Sequence, residues 1–153
     1  MSGDPATRAV RLSALREAAA RGLVGLLGIE VLEGEGTAVS ARMEVHEGLM
    51  APNGFLHGGS IVALADTACG FGCWLTLSDD APGFTTVELK TNFIGAAAEG
   101  ILRCDARLVH AGRSTQVWDA EVVRDDGRSV ALFRCTQLLL DHSGPARPLL
   151  QVG

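Results

Sequence analysis

One carboxylic acid stands inside a largely apolar helical segment, and no other feature constrains this chain as tightly. The stretch reads Asn53-Gly54-Phe55-Leu56-His57-Gly58-Gly59-Ser60-Ile61-Val62-Ala63-Leu64-Ala65-Asp66-Thr67-Ala68-Cys69-Gly70. Turn formers lead through His57 into two glycines, and a helix then runs from about Gly58 to Leu77. That helix is apolar nearly all round and dense in small residues, including Ala63, Ala65, Ala68, Gly70 and Gly72. A helix hydrophobic on every face is buried, and small residues let other backbone come close. Aspartate is a poor interior helix former and is almost never fully buried without a partner. Asp66 therefore needs a reason to be there.

The start of the same helix suggests one. Gly58 and Gly59 supply N–H groups that have no intrahelical partner and sit at the positive end of the helix dipole. Glycine also lets a carbonyl approach the backbone closely. Together these make an oxyanion hole, or else a plain tight turn entering a helix. Apolar surroundings raise the pKa of Asp66, and a carboxylate so poised acts as base or nucleophile. Its bland alternative is an acid hydrogen-bonded to Thr67 or to backbone. Spacing then sets the architecture. Asp66 lies eight residues beyond Gly58, about 12 Å along a helix at 1.5 Å per residue. One substrate cannot touch both on one helix, so two copies must contribute, with their helices side by side and antiparallel. The expected active site lies at a two-fold dimer interface, twice per dimer.

The rest of the chain reads as support for that helix. Residues 5–22 form an amphipathic helix, with Asp4 as cap, Pro5 at its first position and Gly22 at its end. Leu12, Leu15 and Ala19 share one face, and Arg8, Arg11 and Arg16 face water. Gly28 to Glu33 is a short strand, Glu33-Gly34-Glu35-Gly36 a hairpin turn, and Thr37 to Val45 alternates with Val39, Ala41, Met43 and Val45 on one side. After the helix come four strands in a meander, at 84–94, 99–110, 114–124 and 128–140, and a loosely held tail at 143–153. The expected fold is α+β: an antiparallel sheet around one long helix, with an N-terminal helix, in a single domain over 1–153 whose core spans about 25–141.

Composition narrows the function classes. Of the 153 residues 47% are hydrophobic and 20% charged, which points to surface buried between copies. A net charge of −5 argues against a general nucleic-acid binder. No segment reads as the roughly 20 apolar residues that span a bilayer, and none as a signal peptide. The reading is therefore a cytoplasmic protein with neither membrane nor nucleic acid as partner. Cys69, Cys73, Cys104 and Cys135 have no C-x-x-C spacing and read as small buried hydrophobes rather than zinc ligands.

Asn53–Gly70, with its His57-Gly58-Gly59 and its Leu64-Ala65-Asp66-Thr67-Ala68, resembles the signature of the hotdog-fold thioesterases of the phenylacetate-degradation (PaaI-like) family. The likeness continues through Thr85-Thr86-Val87-Glu88-Leu89-Lys90-Thr91-Asn92-Phe93 and His110-Ala111-Gly112-Arg113-Ser114-Thr115, and covers about residues 25–140. The resemblance implies hydrolysis of an acyl- or aryl-CoA thioester without metal or cofactor, by a homodimer or a dimer of dimers. It gives Gly58 N–H the thioester carbonyl, the partner subunit's Asp66 the chemistry, and His57 the shaping of the loop. Apart from the resemblance, Gly59, Thr67, Thr86 and Asn92 are candidates to line the substrate, and Lys90, Arg103 and Arg113, as cations on an otherwise acidic protein, to meet the phosphates of CoA. One position departs from the pattern. Six residues before the histidine, where many members carry an amide, stands Ala51; Asn53 either replaces that amide or holds the turn. Two rival readings are an acyl-CoA sensor without turnover and a hydroxyacyl-CoA dehydratase or hydratase of the same fold. The acid in the helix argues for hydrolysis.

Overall fold

Alternating strands and one apolar helix pack into two layers. The computed structural model describes residues 5–141, so Asp4, His142 and the tail at 143–153 lie outside it, as does the side chain of Arg8. The elements run α1 (Pro5–Ala19), α2 (Gly22–Leu26), β1 (Glu30–Glu35), β2 (Ala38–Glu44), a 3-10 turn at Glu47–Leu49, α3 (Gly58–Thr76), β3 (Phe84–Phe93), β4 (Ile101–Ala111), β5 (Thr115–Arg124) and β6 (Ser129–Leu139). All six strands join in one antiparallel sheet of order β1-β2-β4-β5-β6-β3. α3 lies across it and touches every strand. The long helix in a curved antiparallel sheet is the hotdog arrangement expected from the sequence.

Three local expectations are corrected. The last four strands begin and end within two residues of the expected bounds, but only β4, β5 and β6 form a meander. β3 pairs with β6 at the far edge, because α3 carries the chain across the sheet before β3 starts. The first hairpin sits two residues later than expected, with Gly36 at φ 47° in its turn and Gly34 inside β1. The N-terminal helix stops at Ala19, and Gly22 opens α2 rather than closing α1.

Burial follows the strand pleat. Val39, Met43, Leu102, Trp118, Val122 and Phe133 point to α3 and are buried. Arg11 and Arg16 do not simply face water. Arg11 Nη1 donates to Leu77 O at 2.7 Å, its guanidinium pairs with Asp79 and lies 5.3 Å from the Trp74 ring centroid. A cation against the last carbonyls of α3 also complements the helix dipole. Arg16 Nε donates to Val31 O at 3.1 Å, tying α1 to β1.

α3 buries one face, with Ile61, Leu64, Ala65, Ala68, Cys69 and Cys73 against the sheet. Its other face, with Val62, Ala63, Asp66 and Thr67, is only half-buried, because the sheet of one chain does not reach round it. By length and composition alone this helix of 19 residues could cross a bilayer; here half of it is buried within the fold. The four cysteines are free and buried.

Close packing on α3 is sharpest at Gly72, where an added Cβ would lie 2.4 Å from Trp118 Cη2, on a ring that is 0% exposed. Gly72→Ala must displace that ring. Overpacking of this kind costs about 1–3 kcal/mol, read as a lower urea midpoint at unchanged slope. An unchanged midpoint would mean the contact is not needed.

Candidate active site

The loop before α3 is held by its own backbone. His57 N–H donates to Leu49 O at 3.0 Å, Ala51 N–H to Phe55 O at 2.7 Å and Leu56 N–H to Ala97 O at 2.8 Å. Met50 and Leu56 form an isolated antiparallel bridge. Within the turn, Asn53 Oδ1 accepts from Phe55 N–H at 3.2 Å, so its carbonyl end holds the turn. Gly54, at φ 83°, takes the left-handed conformation that a side chain would resist.

His57 is the N-cap of α3. Its Nδ1 accepts from Gly59 N–H at 2.8 Å, so the neutral ring carries its proton on Nε2. Ser60 N–H donates to His57 O at 2.9 Å, and Ser60 Oγ to Leu49 O at 3.2 Å. Of the donors at this helix start, Gly58 N–H is thus left without a partner among the described residues. A Cβ at Gly58 would meet Phe93 Cζ at 3.0 Å. Phe93, at the end of β3 and 52% exposed, stands beside that amide. The sequence reading had given Phe93 no role.

Asp66 lies two turns further along α3, on its half-buried face. Burial raises its pKa above the ordinary carboxylate value, and the Thr86 hydroxyl, at 3.0 Å from Oδ1, partly offsets this. Thr86 stands on β3 opposite Gln137 of β6. The alternative partners considered from the sequence, Thr67 and backbone, are not the recorded ones; Thr67 is simply the half-buried neighbour of Asp66. An acid of raised pKa with a single donor on it can accept a proton, and a free helix-start amide can bind an oxyanion. Within one chain they remain about 12 Å apart, by helix rise.

Other expected residues are placed elsewhere. Lys90 and Asn92 line a groove on the outer face of the sheet with Arg107, Asp119 and Arg134, away from α3. There Arg134 and Arg107 both pair with Asp119, whose carboxyl is held below its usual range chiefly by the Arg134 hydrogen bond. Arg103 pairs with Asp105 at 3.1 Å, and Arg113 is exposed in the turn between β4 and β5. What the sequence reading missed at the site is Gln137. A polar residue in the inward register of Phe133 and Cys135 was a legible signal for it.

Residues 53–131 match the family model of the thioesterase superfamily. A 1,4-dihydroxy-2-naphthoyl-CoA hydrolase of Listeria monocytogenes is 31% identical over 115 residues, 75% of this chain and 93% of that protein. The crystal structure of a mutant thioesterase PA1618 from Pseudomonas aeruginosa aligns with a TM-score of 0.81 at 27% identity, covering 92% of this chain and 96% of that one. The PaaI protein of the Escherichia coli phenylacetic acid degradation operon aligns at 0.76 and 26% identity, over 89% and 95% of the two chains.

Proposed function

The chain belongs to the thioesterase superfamily and is a thioesterase of the hotdog fold, and from that premise we propose that it hydrolyses an acyl- or aryl-CoA thioester through Asp66 and Gly58. The observation that carries this reading is the pairing of features on α3: a half-buried acid on the face its own sheet leaves open, and an unpartnered amide at the helix start. Antiparallel helices in a dimer bring one protomer's Gly58 beside the partner subunit's Asp66.

In this mechanism Gly58 N–H receives the thioester oxygen as negative charge develops on it. Asp66 attacks the carbonyl carbon, or takes a proton from a water that attacks it. Where water attacks, the C–S bond breaks, the proton held by Asp66 passes to the sulfur, and free acid and CoA thiol leave. Where Asp66 attacks, the C–S bond breaks to leave the acyl group on Asp66 as an anhydride, the thiolate takes its proton from solvent, and a water hydrolyses the anhydride to free acid and the restored carboxylate. His57 keeps Gly59 N–H occupied, so that Gly58 alone is presented. Asn53 shapes the loop through its carbonyl oxygen, and Thr67 and Phe93 border the acyl group. Arg113, exposed in the turn between β4 and β5, is assigned to a phosphate of CoA, and Lys90, on the outer face of the sheet, is not.

Thiol release measured over a panel of aryl- and fatty acyl-CoA esters tests this directly. Release from at least one ester, lost in Asp66→Asn, is expected. Tight binding of every ester with no release would make the protein a sensor and overturn the reading.

A further inference from the structure

Among the described residues three polar side chains are buried: Ser60, Gln116 and Gln137. The first two are accounted for by the fold. Ser60 Oγ donates to Leu49 O, while Gln116 donates to Thr76 Oγ1 and accepts from Trp118 Nε1, each at 2.8 Å. Gln137 is different. It is 0% exposed, and its amide meets only two atoms, Thr86 Oγ1 at 3.0 Å and Cys135 Sγ at 3.3 Å. Burying a primary amide against a hydroxyl and a thiol is costly unless its bonds are completed.

The Thr86 hydroxyl makes the case sharper. Its oxygen lies 3.0 Å from Asp66 Oδ1 and 3.0 Å from Gln137 Oε1, yet it carries one proton. With Asp66 ionised, that proton cannot serve both acceptors. The line closes in two ways. When Asp66 is ionised, the amide turns over: Nε2 donates to Thr86, Thr86 donates to Asp66, and Cys135 S–H donates to Oε1. When Asp66 is protonated, the acid donates to Thr86, Thr86 donates to Oε1, and Nε2 donates to Cys135. A side-chain amide carries donor and acceptor on one pivot and completes both lines; a carboxylate completes only the second, accepting from Thr86 and from Cys135 S–H, and an aliphatic side chain of this length completes neither.

We propose that Gln137 is a positioning residue for thioester hydrolysis, its amide reversing to keep the Thr86 hydroxyl on Asp66 in both protonation states of the acid. This rests on Asp66 being the reacting acid, as argued above. Each proton that Asp66 takes up and returns in a turnover then leaves the line from Asp66 through Thr86 to Gln137 closed. The other ionisable groups around the line are thiols: Cys69 and Cys73 on α3, Cys135 on β6 and Cys104 on β4. Its contact with Cys135 together with burial drives the Cys69 thiol up, and burial does the same to Cys104. Glu88, Lys90 and Arg134, on the same strands, are exposed.

The test compares Gln137→Met, Gln137→Glu and Asp66→Asn with wild type by thiol release across pH, normalised to folded protein. Losing a hydrogen bond aimed along a charged acceptor lowers kcat on the order of tenfold. Gln137→Met is expected to show this at unchanged KM, with the acid limb of the kcat profile moved to higher pH. Gln137→Glu moves that limb in the same direction, because it offers Thr86 an acceptor and adds a like charge. A purely structural role would lower the unfolding midpoint and leave the limb in place. Wild-type kcat and limb in Gln137→Met, with Asp66→Asn inactive, would overturn the inference alone. Turnover surviving in Asp66→Asn would remove the reading beneath it and the inference together. Should Gln137→Met fail to fold, half-buried Thr86 decides: Thr86→Ser keeps the limb and Thr86→Val raises it, and a wild-type limb in Thr86→Val overturns the proposal.

Discussion

Asp66→Asn loses at least about a hundredfold in thiol release, the usual scale for a group that moves a proton in the transition state, and yet folds as stably as wild type or more so. Both halves follow from one placement. The carboxyl is half-buried on α3 with the Thr86 hydroxyl on it, and burial outweighs that donor, so its folded pKa lies above the unfolded value. A group raised in this way contributes most to stability below its unfolded pKa, and the contribution is lost as pH rises through the folded one. At neutral pH the ionised acid therefore weakens the fold. Asparagine keeps the shape, still accepts from Thr86 and never ionises. Its unfolding midpoint should equal or exceed that of wild type at neutral pH, and the gap should close as pH falls into the acid range. Activity runs the other way, because a base must be ionised: wild-type kcat falls as pH drops through the raised pKa of Asp66. A variant both inactive and clearly less stable at neutral pH would show that the acid serves the fold instead.

The second large effect concerns assembly. β3 ends the sheet, and an edge strand presents unpaired N–H and C=O groups along its length. Its apolar side chains are open as well: Val87 is 56% exposed, Leu89 43% and Phe93 52%, with Ile94 just past its end at 57%. A strand of ten residues flanked by such side chains, beside the half-buried face of α3, is where the proposed two-copy mechanism would seat a second copy related by a two-fold axis. The double substitution Val87→Asp and Leu89→Asp would bury unpaired charge in that contact, a cost of several kcal/mol. The expected product is a folded monomer by sedimentation, with native circular dichroism and thiol release down by at least about a hundredfold. A loss that large from substitutions outside the reacting groups follows only if Gly58 and Asp66 act across the interface. A monomer with full activity would end the two-copy mechanism.

How much of this was legible beforehand can be followed residue by residue. The histidine, the two glycines and the acid at its spacing were local facts. A helix start leaves free donors and a helix interior rejects aspartate, whatever the rest of the chain does. Strand alternation at 37–45 was likewise a near-neighbour pattern and set which residues turn inward. Arg11 and Arg16 were misjudged because their partners, Leu77 O and Val31 O, belong to other elements. The strand after α3 was expected beside β4, since connectivity along the chain does not say how far a helix travels across a sheet.

The amino-acid order by itself therefore determined the helix, its acid, its glycine start and the strands, because those depend on residues within a few positions of one another. Tertiary structure alone decided that β3 becomes the open edge, that Lys90 and Asn92 face the outer side, and that Thr86 and Gln137 line up behind Asp66. Those are contacts between residues 20 and 51 positions apart. No local rule reaches them, since they follow from how far α3 crosses before the sheet closes around it.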